Sequence, residues 1–259
     1  MRFCSLGSGS GGNSTLVEAS QGITTTRLLV DAGFSERELT RRLARAGCTP
    51  ADIDAIFVTH EHGDHVGCSL GLARRHRIPL FTSRGTWRAI GREDFDTGLL
   101  RLARGGEAIT LGDMALRPFG VPHDAAEPLQ LCVEDGGVRL GVVTDLGCAP
   151  AAVAEALQRC QALLLEANHD EAMLRAGPYP PSLQRRILGT HGHLSNKAAA
   201  DLLTRCQHAG LGIVVAAHLS ESNNAPALAR DALAGALRCA PDDIRVAHPT
   251  LGFDWLPVG

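Results

Sequence analysis

The chain has 259 residues, with 25 Lys+Arg against 28 Asp+Glu and a formal net charge of −3 when histidine is neutral. That balance excludes a protein gripped to nucleic acid mainly by counterion release, but not a nucleic-acid enzyme with a locally positive site. Hydrophobic residues at 44% and charged residues at 20% exclude a disordered chain, and the length suits one large domain or two small ones.

The opening Met-Arg-Phe-Cys-Ser-Leu-Gly turns to glycine and serine without a hydrophobic signal core, so a cytoplasmic location is expected. No apolar run nears the roughly 18–20 residues of a transmembrane helix, so no membrane partner is expected either. Residues 5–15 predict a loop between strands at 1–6 and 15–18. A strand at 27–30 ends at Asp31, and Ser35 with Glu38 has the spacing of a capping box for a helix to about Ala46, stopped by Gly47. Residues 53–59 predict a buried strand that runs straight into a histidine-rich segment. A helix near 69–76, a strand at 80–83 and an Arg-containing helix near 85–91 follow.

From 108 onward the pattern is strands, at 108–111, 114–121, 129–134 and 138–144, with Gly136-Gly137 as a tight turn. A helix at about 151–159 and a strand at 162–166 precede an irregular stretch holding Gly177-Pro178-Tyr179-Pro180-Pro181. Ser195 caps a long helix to His208, and strand 212–217, helix 225–237 and a strand near 244–247 complete the chain. Strands then helices, twice over, suit two packed sheets with helices outside.

Eight cysteines without a Cys-x-x-Cys pair read as reduced, mostly buried thiols. The basic residues include a single lysine, Lys197, an arginine bias that reflects genome composition more than function. Arg74-Arg75-His76-Arg77 and Arg41, Arg42 and Arg45 are read as solvated helix faces in preference to polyanion contacts. With aromatics at 4%, few stacking platforms are available for an extended single strand.

The 11 histidines, by contrast, cluster. In Thr59-His60-Glu61-His62-Gly63-Asp64-His65, three imidazoles and a carboxylate follow a buried strand within six residues, a donor set suited to Zn²⁺, with Mn²⁺ or Fe²⁺ also compatible. His60 and His62 can face one ion, and Asp64 and His65 a second.

This segment resembles the metal motif of the metallo-β-lactamase-fold hydrolases. The resemblance implies an α/β (α+β) fold, a four-layer αββα sandwich, as one hydrolase domain over 1–259. It also implies two divalent metal ions per chain. His123 then matches the third imidazole of the first ion, Asp145 the carboxylate bridging both, and His218 the last ligand of the second. Asp31 matches an early aspartate that supports the metal loop from behind. Further segments, Glu166-Ala-Asn-His-Asp, Gly189-Thr-His-Gly-His-Leu-Ser-Asn and His218-Leu-Ser-Glu-Ser-Asn-Asn, look like the bacterial YycJ/WalJ branch, related to ribonuclease Z and phosphodiesterases.

What the resemblance implies is a phosphodiesterase or nuclease whose substrate is a phosphodiester, with nucleic acid a candidate. A metal-bridging hydroxide would attack the phosphorus, with Asp64 ligating an ion and orienting the nucleophile. His193 resembles the non-ligand histidine that protonates the leaving alkoxide, with a helix-capping role as the lesser alternative. His191 is the second candidate donor, and His169 either supports the site or is structural. Asn13, Asn196 and Asn223 are candidate substrate contacts by resemblance alone. The glycine-serine loop at 7–14 either presents backbone N–H groups to a phosphate or merely joins strands. Hydrolysis of a thioester (glyoxalase II-like), lactone or β-lactam on the same centre is the alternative, and a binding module that has kept only the fold is a third. A β-lactamase is disfavoured by the bridging Asp145.

Overall fold

The computed structural model describes residues 1–91 and 94–259, in which the chain builds two seven-stranded sheets face to face. The first sheet starts with β1 (Arg2–Gly7), β2 (Ser14–Gln21) and β3 (Thr24–Val30), which are antiparallel. It continues in parallel through β4 (Ala55–Phe57), β5 (Leu80–Ser83) and β6 (Leu100–Ala103). The second repeats the plan: β7 (Ile109–Leu111), β8 (Met114–Gly120), β9 (Leu129–Glu134) and β10 (Arg139–Val143) are antiparallel. From β10 it runs parallel through β11 (Ala162–Glu166), β12 (Ile213–Ala217) and β13 (Arg245–Val246). The last strand, β14 (Phe253–Pro257), crosses back to pair with β1 at the edge of the first sheet.

Helices α1 (Glu36–Arg45), α2 (Gly63–Val66), α3 (Ser69–His76) and α4 (Arg84–Ile90) accompany the first sheet. Helices α5 (Ala151–Ala156), α6 (Glu171–Ala176), α7 (Pro181–Ile187), α8 (Asn196–Cys206) and α9 (Pro226–Leu237) accompany the second. Three apolar layers account for the stacking. Leu16, Leu29 and Ile56 pack outward on Leu39, Leu43 and Leu72 of α1 and α3. Phe3, Leu28 and Phe57 meet Leu116, Leu131 and Leu164 between the sheets. Leu163, Leu165 and Val214 pack on Leu157, Leu202 and Leu233 on the far side. Period-two alternation gives each strand two apolar faces because both are covered, which is the αββα sandwich expected.

Several local expectations are corrected. Ser35 caps α1 by accepting from Glu38 N at 3.3 Å, but the Glu38 carboxylate turns to Arg41 and Arg42 instead of closing the box. Arg42 is not on a solvated face: it is buried, donates to Leu6 O at 2.6 Å and lies over the Phe34 ring. The stretch around 177–181 leads into a helix, since Pro181 occupies the first turn of α7, where a missing N–H costs nothing. Strands β6 and β14 are edge strands without a sustained apolar run, and Pro257 is tolerated at such an edge. All eight cysteines are free thiols, as composition predicts. No helix among the described residues is long and apolar enough to cross a membrane.

Because the layer between the sheets holds the strand ends in register, Leu116→Ala is expected to cost about 2–5 kcal/mol of unfolding free energy. Urea denaturation measures it, and a loss below about 0.5 kcal/mol would show that this layer tolerates the cavity.

Candidate metal centre

The chemistry-bearing residues collect where the parallel strands end, the usual ligand-binding edge of such sheets. Asp31 follows β3, His60 to His65 follow β4, Asp145 follows β10, Glu166 closes β11 and His218 follows β12. Asp31, Asp145 and His218 adopt left-handed backbone, with φ of 60°, 55° and 54°. Each such turn costs on the order of 1 kcal/mol for a residue with a Cβ, and it swings the side chain off the strand line into the cleft between the sheets. The loop after β4 is drawn tight by backbone bonds from Asn13 N to Asp64 O (2.8 Å) and from Ala32 N to His65 O (2.9 Å). Gly33 lies so close that a Cβ there would stand 1.6 Å from Asp64 O.

Four imidazoles are oriented alike. His65 Nδ1–H donates to Asp31 Oδ2 at 2.8 Å, His123 Nδ1–H to Gly192 O at 3.0 Å and His218 Nδ1–H to Glu166 Oε1 at 3.2 Å. Thr59 Oγ1 donates to Asp31 Oδ2 at 2.8 Å and therefore accepts from His60 Nδ1–H at 3.0 Å. With every Nδ1 engaged outward, the four Nε2 lone pairs point inward, the arrangement that fixes a ligating tautomer. His62 turns Nδ1 inward instead, 3.1 Å from His60 Nε2 and 3.3 Å from His123 Nε2. A single proton cannot serve both of those contacts.

These donors form overlapping groups whose atoms lie within 4.8 Å of one another. One holds His60, His62 and His123; another holds Asp64, His65 and His218. Asp145 belongs to a group with His60 and His65 and to a second with Glu166, His193 and His218. Asp145 Oδ2 lies 3.0 Å from His65 Nε2 and His218 Nε2 3.7 Å from Asp64 Oδ2, and with both Nε2 atoms unprotonated these buried acceptors face each other with no donor between them. Orphaned acceptors of this kind are costly unless something positive meets them.

The electrostatics agree. Burial opposes charge on His65, yet Asp145 and Asp31 outweigh it and raise its pKa well above the usual value. Burial likewise opposes charge on His218, which Asp145, Asp64 and Glu166 bring up to about 10. Burial and its imidazole neighbours keep His60 neutral, the ligand form. Burial also disfavours ionised Asp145 and Glu166, but the facing histidines hold Asp145 well below the carboxylate range and Glu166 at about 2. A cleft that drags protons onto buried imidazoles takes a divalent cation in their place, and the N/O donor set fits one.

The structure thus brings together His60, His62, Asp64, His65, His123, Asp145 and His218, with Asp31 behind His65 and Thr59. His193 joins them, its Nδ1–H donating to Glu166 Oε1 at 2.7 Å, so it is held by a carboxylate and not by helix-capping contacts. Beside them opens a cleft of ≈ 280 Å³ lined by His62, Asp64, Asp145, His193 and His218. A larger hollow of ≈ 1020 Å³ near the start of β12 contains none of these residues.

Other candidates are not brought to the cleft. His191 is exposed, with its ring beside Thr190 Oγ1, and lines a separate depression with Gly105 and Pro150. His169 is buried and its ring meets Asn168 Oδ1 at 3.3 Å, one residue removed from the cleft wall. Asn13 is absent from the cleft lining, but its amide Nδ2 donates to Asp64 Oδ2 at 3.3 Å and to His65 Nε2 at 3.0 Å while its Oδ1 accepts from Gly9 N, so it holds two of the donor atoms in place. Asn196 exchanges amide hydrogen bonds with Asn224 at 2.8 and 2.9 Å, and Asn223 is buried against Ser220. These asparagines satisfy local polar groups, which a linear motif cannot distinguish from substrate contact.

Glu166 is the functional residue that sequence reasoning left as part of a motif. Besides His193 and His218, it accepts from Leu146 N and Leu194 N. The available signal was a lone carboxylate ending the otherwise apolar strand Ala-Leu-Leu-Leu-Glu. Asp124 was also missed; its Oδ2 accepts from Nε and Nη2 of Arg186, and its Oδ1 lies 3.4 Å from His123 Nε2.

Because Asp31 sets the His65 tautomer, Asp31→Ala is expected to weaken metal affinity about 10- to 100-fold, measured by competition with a chelating dye. Unchanged affinity would show that His65 needs no such partner.

Comparison with known proteins gives the same family. Residues 26–218 match the family described as Beta-lactamase superfamily domain. The exodeoxyribonuclease WalJ of Streptococcus pneumoniae serotype 2 is 35% identical over 232 residues, 88% of this chain and 85% of that protein. The exodeoxyribonuclease YycJ of Bacillus anthracis is 36% identical over 239 residues, 89% of this chain and 86% of that one. The metallo-β-lactamase fold protein YhfI of Bacillus subtilis superposes with a TM-score of 0.74 at 15% identity, covering 98% of both chains, which shows the fold. With its imidazoles at the strand ends of two stacked sheets and a family match over well more than half its length, the chain belongs to the metallo-β-lactamase superfamily.

Proposed function

We propose that this chain, as one hydrolase domain over 1–259, is a metal-dependent nuclease that removes nucleotides from a DNA end. The observation that carries the reading is Asp145 lying between two donor groups, with the Glu166–His193 pair beside it in the same cleft. The relatives named as exodeoxyribonucleases support the choice of DNA and of cutting from an end.

His60, His62 and His123 would hold one divalent ion and Asp64, His65 and His218 a second, with Asp145 shared and zinc best suited to the imidazole-rich set. Bound there, the pair supplies Lewis-acid polarisation of the phosphoryl oxygens and a lowered pKa for solvent. The residues do the rest. Asp64 lines the cleft and orients the attacking water through its carboxylate. His193 commits Nδ1–H to Glu166, which leaves Nε2 to hand a proton to the leaving alkoxide. Burial disfavours its charged form, but Glu166 and Asp145 raise its pKa above the ordinary value, the direction a proton donor needs.

The direct test is incubation of metal-loaded protein with end-labelled single- and double-stranded DNA and RNA, alongside bis-p-nitrophenyl phosphate, a thioester and a chromogenic cephalosporin. Stepwise shortening of DNA is expected; rapid thioester turnover without diester cleavage would refute the proposal. Asp145→Ala is expected to bring metal content towards one ion per chain, and retention of two ions would remove its shared role. His193→Ala is expected to retain metal and to slow diesters with poor leaving groups by roughly 10²–10⁴-fold, the range of general acid catalysis, but activated diesters far less. Equal slowing of both would rule it out as the proton donor.

A further inference from the structure

The cleft has a side that the hydrolytic residues do not use. Around His218 its lining is polar, with Asn168 Nδ2 donating to His218 O at 2.9 Å and Ser220 N to Asn168 O at 2.8 Å. On the side where Arg186 of α7 pairs with Asp124, next to His123, the wall is instead Tyr179, Leu183 and Ile187. Leu183 and Ile187 stand four residues apart and so share one face of α7, and all three side chains are half-buried. A phosphodiester group has no apolar part to meet such a wall; a nucleobase does.

Tyr179, the single tyrosine of the chain, also has a constrained backbone. It stands between Pro178 and Pro180, and a residue before proline is confined to extended backbone. Gln184 Nε2 donates to its carbonyl at 3.0 Å, tying it to the first turns of α7. The turn begins at Gly177, where a Cβ would stand 2.7 Å from Asn223 Oδ1 and 2.9 Å from Met173 O. That close approach gives Asn223 its place in the molecule: it backs the turn that presents Tyr179. An aromatic ring carried on a constrained backbone has only its two side-chain torsions left to lose on binding, and base–aromatic stacking tolerates any sequence.

We infer that Tyr179, with Leu183 and Ile187, stacks the base of the nucleotide whose phosphodiester is cut, and that this wall selects a nucleotide over a bare phosphodiester. The inference rests on the phosphodiesterase reading above.

The test uses a single-stranded DNA oligonucleotide, intact or with an abasic sugar at the nucleotide beside the scissile bond, with the cut end identified from the labelled strands. Wild type and Tyr179→Phe are expected to prefer the intact strand in kcat/KM by about 10-fold, within the range of one stacking contact. Tyr179→Ala, with its fold checked by melting temperature, is expected to raise KM for the intact strand and to cut the two strands alike. Retention of the preference in Tyr179→Ala, or its absence in wild type, overturns the inference while leaving the phosphodiesterase reading intact. If metal-loaded wild type cleaves neither strand nor bis-p-nitrophenyl phosphate, both fall.

Discussion

The arrangement depends on inward-facing nitrogen lone pairs and buried carboxylates that cannot satisfy one another unless a proton or a cation comes between them. His60, His65, His123 and His218 each commit Nδ1 to an outward acceptor, so their Nε2 atoms converge. Asp145 presents Oδ2 to the same space, 3.0 Å from the His65 Nε2 lone pair. In the low-dielectric gap between two sheets such convergence is unfavourable unless positive charge enters it. The demand for a cation is therefore built into the packing and is not a property of any one residue.

Two carboxylates carry the outward side of this design, one from each sheet. Asp31, at the end of β3, takes Thr59 N, Thr59 Oγ1 and His65 Nδ1. Glu166, at the end of β11, takes His218, His193 and two backbone N–H groups. Both are among the most buried acids of the chain, and both are fully engaged by donors. Each sheet thus orients its own imidazoles before any substrate or ion is considered. The left-handed backbone at Asp31, Asp145 and His218 is the local cost of bringing these groups off the strand ends, and the surrounding hydrogen bonds hold it in place.

The parts of the site that could be read in the chain are those whose chemistry is local. His60, His62, Asp64 and His65 stand out because four donors fall within six residues after a buried strand. The strands and helices with strong apolar patterning, such as β5, β9, β11 and α3, occupy the predicted residues. Helices α6 and α7 were missed because Gly177 and its neighbouring prolines read as irregular, although Asp170 caps the first and Pro181 opens the second. His191, Asn196 and Asn223 were placed near substrate because they share segments with site residues. A shared segment does not decide on which side of the backbone a side chain emerges.

From the sequence alone came the αββα class, the metal-binding loop and the order in which its distant ligands follow, since apolar periodicity and donor chemistry are written residue by residue. Tertiary structure alone decided which carboxylate serves which imidazole, that Glu166 grips His193 and His218, and that Asn13, Asn196 and Asn223 act as struts. It also decided that Tyr179 faces the cleft. These facts depend on distances between residues as far apart in the chain as Asp31 and His65 or Glu166 and His218, and only the stacking of two sheets brings their strand ends together.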